Sequence, residues 1–123
     1  MKVVFYQKSD GTKPAEDFIK SLPPKMRIKI TSVIIILKKY GTKIREPYSK
    51  PIGDGIFELR AKVGSDISRV LYFFVFDNKA IITNGFIKKT MKTPRNEIKL
   101  AKSYRADYLS REEEATDNER TQF

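Results

Sequence analysis

The sequence contains no cysteine, no histidine and no tryptophan among its 123 residues. The absence of cysteine excludes disulfide staples and thiolate metal sites. The absence of histidine removes the commonest acid–base group and the commonest metal ligand together. Long apolar runs are also missing. Stretches such as Val33–Leu37 are far too short to span a bilayer. Met1–Tyr6 has neither the apolar region nor the small-residue cleavage pattern of a signal peptide, so a cytoplasmic location is the expectation. One domain of this length can bury a real core without covalent help.

Acidic residues are scarce, and most of the chain is strongly basic. The sequence carries 25 Lys and Arg against 15 Asp and Glu, a formal net charge of +10. The imbalance is uneven. Residues 106–123 hold six acids and two bases, a net of −4, which leaves +14 on residues 1–105. A body this basic attracts polyanions, of which nucleic acid is the usual one, although basic surfaces also serve plain solubility.

The pattern predicts an α+β chain. Val3–Gln7 reads as a strand, and Asp10-Gly11-Thr12 as a turn leading into a short helix with Pro14 in its first turn and Glu16 and Asp17 near its positive end. Pro23-Pro24 breaks that helix. Residues 25–40 are rich in β-branched types, but Met26, Ile30, Val33, Ile34 and Leu37 follow helical spacing, and Gly41 is a stop. Residues 42–55 read as a loop punctuated by Pro47, Pro51, Gly53 and Gly55. Three strands follow, Ile56–Val63, residues 67–76 and Ala80–Ile87, and Pro94 opens a last helix through Leu100, Ala101, Tyr104 and Tyr108. The chain after Ser110 is polar and acidic, either an exposed helix end or disordered. The division expected is a domain over 1–110 and an acidic tail over 111–123.

The strand register gathers charge. A hairpin centred on Gly64-Ser65 sets Arg60 opposite Arg69. Two facing cations are unfavourable in an idle sheet, and they make sense where the face meets an anion such as a phosphate. The plainer alternative is that Glu58 neutralises one of them. A two-residue turn at Asp77-Asn78 places Phe86 opposite Arg69, with Asn84 and Lys88 on the same face, whereas a three-residue turn would invert this parity. Phe86 then offers a ring on which a base could stack. The other face, with Phe57 and Leu59, is expected to meet the two N-terminal helices.

Asn84-Gly85-Phe86-Ile87-Lys88-Lys89-Thr90-Met91-Lys92-Thr93-Pro94 resembles the phage-derived, HigB-like branch of the RelE/ParE toxin superfamily. That branch carries a Gly-Phe-x-Lys-Lys-Thr-x-Lys-Thr-Pro signature followed by a helix with an alanine and a terminal Asp-Tyr, here Ala101 and Asp107-Tyr108. Its Glu-Leu-Arg and Arg-Val-Leu-Tyr strands match Glu58-Leu59-Arg60 and Arg69-Val70-Leu71-Tyr72, and Phe18 and Leu22-Pro23 fit its two-helix start. The resemblance spans nearly the whole chain except the acidic tail.

The resemblance implies a RelE-like fold: a mainly antiparallel four-stranded sheet, two N-terminal helices packed on one face, and a C-terminal helix. It also implies a metal-independent endoribonuclease without a cofactor, acting on mRNA in the ribosome and paired with a helix-turn-helix, HigA-like antitoxin. Cleavage by the RNA's own 2′-hydroxyl needs a base, stabilisation of a five-coordinate phosphate and an acid for the leaving oxygen. Arg60 and Arg69 are the expected phosphate clamps. Lys88, Lys89 or Lys92 would stabilise charge or move protons, and the base is either a lysine with a lowered pKa or Glu58. Asn84, Phe86, Lys62, Tyr104 and Tyr108 are the expected RNA contacts, with helix-to-sheet packing the alternative role of the tyrosines. Members of this branch often have histidine before the Gly-Phe. Here the position is Asn84, so no histidine role carries over. Two rivals share the scaffold: a ParE-like gyrase inhibitor without nuclease activity, and a non-toxic phage accessory protein.

Overall fold

The computed structural model describes residues 1–88 and 92–121, with side chains described up to Ala115. The order of elements is β1 (Lys2–Phe5), α1 (Pro14–Ser21), α2 (Pro24–Tyr40), a 3₁₀ turn (Gly41–Lys43), β2 (Ser49–Gly53), β3 (Ile56–Val63), β4 (Asp66–Val75), β5 (Lys79–Ile87) and α3 (Arg95–Thr121). The sheet has five strands in the order β1-β5-β4-β3-β2. β1 runs parallel to β5, and the other neighbours are antiparallel. None of the helices is long and apolar enough to cross a membrane among the described residues.

Local chemistry accounts for the helix starts. Asp10 accepts hydrogen bonds from the Thr12 N–H at 2.9 Å and the Thr12 hydroxyl at 2.6 Å, which shapes the turn before α1. Pro14 occupies the first turn, where its missing N–H costs nothing. α2 begins on Pro24 in the same way. It ends at Gly41, whose φ of 56° suits a residue without a side chain and whose N–H reaches the Leu37 carbonyl. Helical burial of Met26, Ile30, Val33, Ile34 and Leu37 outweighs the β-branched propensity of this segment.

Two expectations are corrected. The sheet has five strands rather than four, because β2 forms within the segment that reads as a loop. Pro51 and Gly53 disguise it, and a register shift between those residues accommodates them at the sheet edge. The expected packing of the two N-terminal helices together on one face is also corrected, because they divide the sheet between them. α1 lies chiefly on β5 and α2 chiefly on β3. Phe18 of α1 rests directly on Gly85 of β5, where an added Cβ would come within 2.2 Å of the ring. Glycine is needed there for the approach itself.

The β3–β4 hairpin has the expected register, with Arg60 facing Arg69. The β4–β5 hairpin reaches the expected pairing by another route. Three residues separate β4 from β5, and Asp77 and Asn78 take positive φ. Alone this would invert the parity. A bulge at Thr83 inverts it back, since Tyr72 pairs with Ile82 but Leu71 pairs with Asn84. Arg69 therefore faces Phe86 after all. The bulged Thr83 hydroxyl donates to the Leu71 carbonyl at 3.2 Å or to Asn84 Oδ1 at 2.7 Å.

One sheet face carries the main core, in which Leu59, Val70, Tyr72 and Ile82 meet Ile19, Ile30, Val33 and Leu37. α3 crosses the opposite face. Ala101 closes on Ile56, Leu71 and Phe86, while Tyr104 and Tyr108 close on Tyr6, Phe73 and Ile81. α3 continues through Thr121, so a boundary at residue 110 falls inside one helix. Lys102 Nζ reaches Asp54 at 2.7 Å and Arg105 donates to the Asp54 carbonyl, fastening the helix to the β2–β3 turn.

Candidate active site

Glu58 lies at the centre of the charged end of the α3-side face. It is 1% exposed. An isolated buried carboxylate would cost several kcal/mol or more, so its partners determine whether it can stay ionised. It accepts from Arg60 Nε at 3.1 Å, from Arg69 Nη1, and from the Thr93 hydroxyl at 2.7 Å. Glu58 thus binds both arginines, and the plainer alternative foreseen for the facing cations holds in part. One carboxylate between two guanidiniums still leaves an excess positive charge.

The two arginines differ. The Arg69 side chain is 6% exposed and that of Arg60 is 28% exposed, so only Arg60 presents substantial surface to a ligand. Burial pulls the Arg69 pKa down from its ordinary value. The Arg69 Nε has no hydrogen-bond partner among the described residues.

Lys88 completes the charged end. Its N–H donates to the Ile67 carbonyl at 3.0 Å, which extends the β4–β5 pairing and carries the residue to the same end as Arg60 and Arg69. Its pKa is lowered to about 8, first by burial and then by the charges of Arg69, Arg60 and Lys50. Lys50, Glu58, Lys88, Lys92, Thr93 and Arg95 line one cleft of about 370 Å³. Arg60, Lys62 and Arg69 line a second cleft of about 610 Å³ together with Lys29, Tyr48 and Ile67.

The structure therefore brings Glu58, Arg60, Arg69 and Lys88 together and sets Lys92 in the same cleft as Glu58 and Lys88. Lys62 lines the second cleft, and Lys89 lies outside the described residues. Asn84 and Phe86 face the expected way, but α3 covers them. Phe86 is 8% exposed and packs on Ile56, Leu71 and Ala101, so it offers no open ring for a base. Asn84 is buried and donates to the Glu97 carbonyl at 3.2 Å or its carboxylate at 2.9 Å, tying the first turn of α3 to β5. Tyr104 stacks on Tyr6 with ring centroids 4.6 Å apart, and Tyr108 meets Phe73 edge-on. For both tyrosines this is the packing role foreseen as the alternative.

Thr93, Lys50 and Tyr48 are among the cleft residues that the sequence does not single out. Thr93 stands in the signature block, but nothing local shows that it reaches back to Glu58. Lys50 falls on the strand that reads as a loop. Tyr48 precedes that strand and has no pattern of its own. Among the described residues, no three acidic side chains converge as a metal-ligand group.

A small carboxylate-centred cluster with surplus cations, one of them a lysine whose pKa is lowered to about 8, can bind a phosphodiester and exchange a proton with it. The family model for phage-derived Gp49-like proteins (DUF891) matches residues 17–105, more than half of the chain and inclusive of every residue of this cluster. No curated protein matches the chain.

Proposed function

The chain belongs to the phage-derived Gp49-like family, within the RelE/ParE-like toxin superfamily, and from that premise we propose that it is the toxin of a toxin–antitoxin pair and cleaves RNA. The observation that carries the reading is Lys88, drawn down to a pKa of about 8 beside Arg60 and Arg69. At pH 7 about a tenth of such amines are neutral, against less than about one in a thousand for an ordinary lysine. Burial beside Arg69, Arg60 and Lys50 gives Lys88 the lowered pKa that a general base near neutral pH needs.

In this reading the neutral Lys88 amine takes the proton of an RNA 2′-hydroxyl. The freed 2′-oxygen attacks the adjacent phosphorus, and the bond to the 5′-oxygen breaks. Lys92 returns a proton to that leaving oxygen. The products are a 2′,3′-cyclic phosphate and a 5′-hydroxyl. Arg60 binds the phosphate oxygens, and the buried Arg69 supports the developing negative charge from behind. Glu58 acts as the anchor that orients both arginines, because its three donors leave little freedom for proton transfer. Lys89 would add charge at the same block, as the family resemblance implies. The substrate is mRNA on the ribosome, and the partner is a helix-turn-helix, HigA-like antitoxin. The site of action is the cytoplasm.

The test is incubation of purified protein with mRNA-programmed ribosomes, with cleavage read by primer extension. Cleavage is expected, rising about tenfold per pH unit below pH 8 and levelling above it, since the base must be neutral. Absence of cleavage together with inhibited DNA supercoiling by gyrase would replace this reading with the gyrase-directed one.

A further inference from the structure

The larger cleft is not used by the proton-transfer chemistry just described. It lies between α2, the segment before β2, and the end of β3. β2 pairs with β3 only as far as Leu59, and the Tyr48 carbonyl takes the Arg60 N–H at 2.9 Å. Past that point β3 keeps β4 on one edge and, among the described residues, has no strand on the other. The resulting space is about 610 Å³, within the range of small-molecule sites.

Its lining has two parts. Val33, Pro47, Tyr48 and Ile67 form an apolar wall, and Tyr48 keeps 39% of its surface exposed. Lys29, Arg60 and Lys62 supply positive charge, and among the described residues no acidic side chain lines the cleft. Arg69 also lines it, and this buried guanidinium holds the unpartnered Nε. An exposed aromatic ring on an apolar wall, with cations beside it, fits a flat heterocycle attached to a phosphate. A bare anion would leave the apolar wall unused, and an aliphatic chain would leave the cations unused.

We propose that this cleft is a nucleobase subsite, in which Tyr48 stacks a base of single-stranded RNA next to the phosphate held by Arg60. The inference rests on the nuclease reading and deepens it. Arg60 and Arg69 line the larger cleft, and the Glu58 carboxylate that both of them bind lines the smaller, so this ion-paired trio is the wall where the two clefts adjoin. A strand crossing that wall places its reacting phosphate on the Lys88 side and the neighbouring base on the Tyr48 side. Lys29 and Lys62 then meet the next phosphate. The assignment makes Tyr48 a specificity-determining residue, since the size and edge chemistry of the cleft select which base fits.

The test titrates the full chain with three probes while following backbone amide signals by NMR. The probes are a short RNA made uncleavable by 2′-O-methyl groups, the same strand with one abasic position, and an acidic glutamate peptide. The expected result is shifts at Tyr48, Gly64 and Ile67 with the intact strand. Binding should weaken roughly five- to hundredfold for the abasic strand, and by a similar factor for Tyr48→Ala with the intact strand. Tyr48→Phe should retain binding. Equal affinity for intact and abasic strands would overturn the proposal without relying on any variant. So would a glutamate peptide that shifts the same amides as strongly, which would make the cleft a protein-docking surface. RNA shifts confined to Lys88 and Thr93, with cleavage intact, would overturn the base subsite and leave the nuclease standing. Loss of both RNA binding and ribosomal cleavage would overturn both.

Discussion

Two charged clusters stand on the same face of the sheet, and they differ in balance. Beneath the middle of α3, the Tyr6 hydroxyl donates to Asp107 at 2.5 Å, and Arg111 reaches the same carboxylate at 2.6 Å. One acid meets one base. Asp107 is held below the usual carboxylate range, first by the Tyr6 hydroxyl and also by Arg111. The Tyr6 hydroxyl is pushed up to about 12, first by burial and then by Asp107. Every shift there favours the charge state that the groups already hold at neutral pH. At the other cluster, a single buried Glu58 is shared by Arg60 and Arg69, with Lys88 and Lys50 nearby. There burial, and after it the surplus charge, moves Lys88 toward its less usual, neutral state. The first cluster fastens a helix, and the second stores an imbalance that a phosphate would relieve.

Breaking the imbalance gives the largest expected effect. Lys88→Met should lower ribosome-dependent cleavage by about 10²–10⁴-fold, the usual contribution of a general base. The same variant should be more stable by about 1 kcal/mol in urea unfolding, because a partly buried cation facing two others is removed. A variant that loses activity and stability together would make Lys88 a structural residue. The sign of the pH effect agrees. The depressed folded-state pKa means that the unfolded chain binds the extra proton between about pH 8 and the ordinary lysine value, so this residue's contribution to stability rises with pH across that window.

Glu58→Gln comes next. It leaves the Arg69 charge buried without its counter-ion, and a loss of about 3–5 kcal/mol is expected by denaturant titration. Retained stability would mean that Arg69 finds another anion or reaches water. Gly85→Ala drives a methyl into the Phe18 ring, with a cost of about 1–3 kcal/mol, and pairing it with Phe18→Leu should recover part of that.

The smallest effect sharpens the contrast between the clusters. Tyr6→Phe removes one hydrogen bond to Asp107 while keeping the stacked ring, and about 1 kcal/mol of stability should go with it. Cleavage measured on the folded variant should be unchanged. A large drop in cleavage would mean that the balanced cluster also serves the chemistry.

Much of this arrangement was legible in the chain. The two-residue turn at Gly64-Ser65 sets the β3–β4 register by local geometry, so the Arg60–Arg69 pair follows from counting. The pairing of Phe86 with Arg69 was also expected, but the route to it was not. A turn one residue longer and a bulge at Thr83 cancel, and neither leaves a clear pattern in the side chains. β2 was hidden because its Pro51 and Gly53 are loop residues by every local measure and are tolerated only at an edge. The covering of the Arg69 face is hidden in the sequence for a related reason. Alternation shows which side of a strand Asn84 and Phe86 occupy, but it does not show that α3 lies over that side.

What the sequence alone determined is what short-range geometry and composition control: the surplus of positive charge, the helices read from apolar spacing, and two arginines facing each other across a tight turn. What only the tertiary structure decided is which charges share a partner and which remain open to solvent. Thr93 and Lys88 meet the β3 cluster because β5 ends, and α3 begins, at that end of the sheet. Tyr48 borders a cleft because β2 stops pairing before β3 ends. Such contacts join residues far apart in the chain. Their energies depend on burial and on the neighbours that burial supplies, and neither is encoded within any single segment.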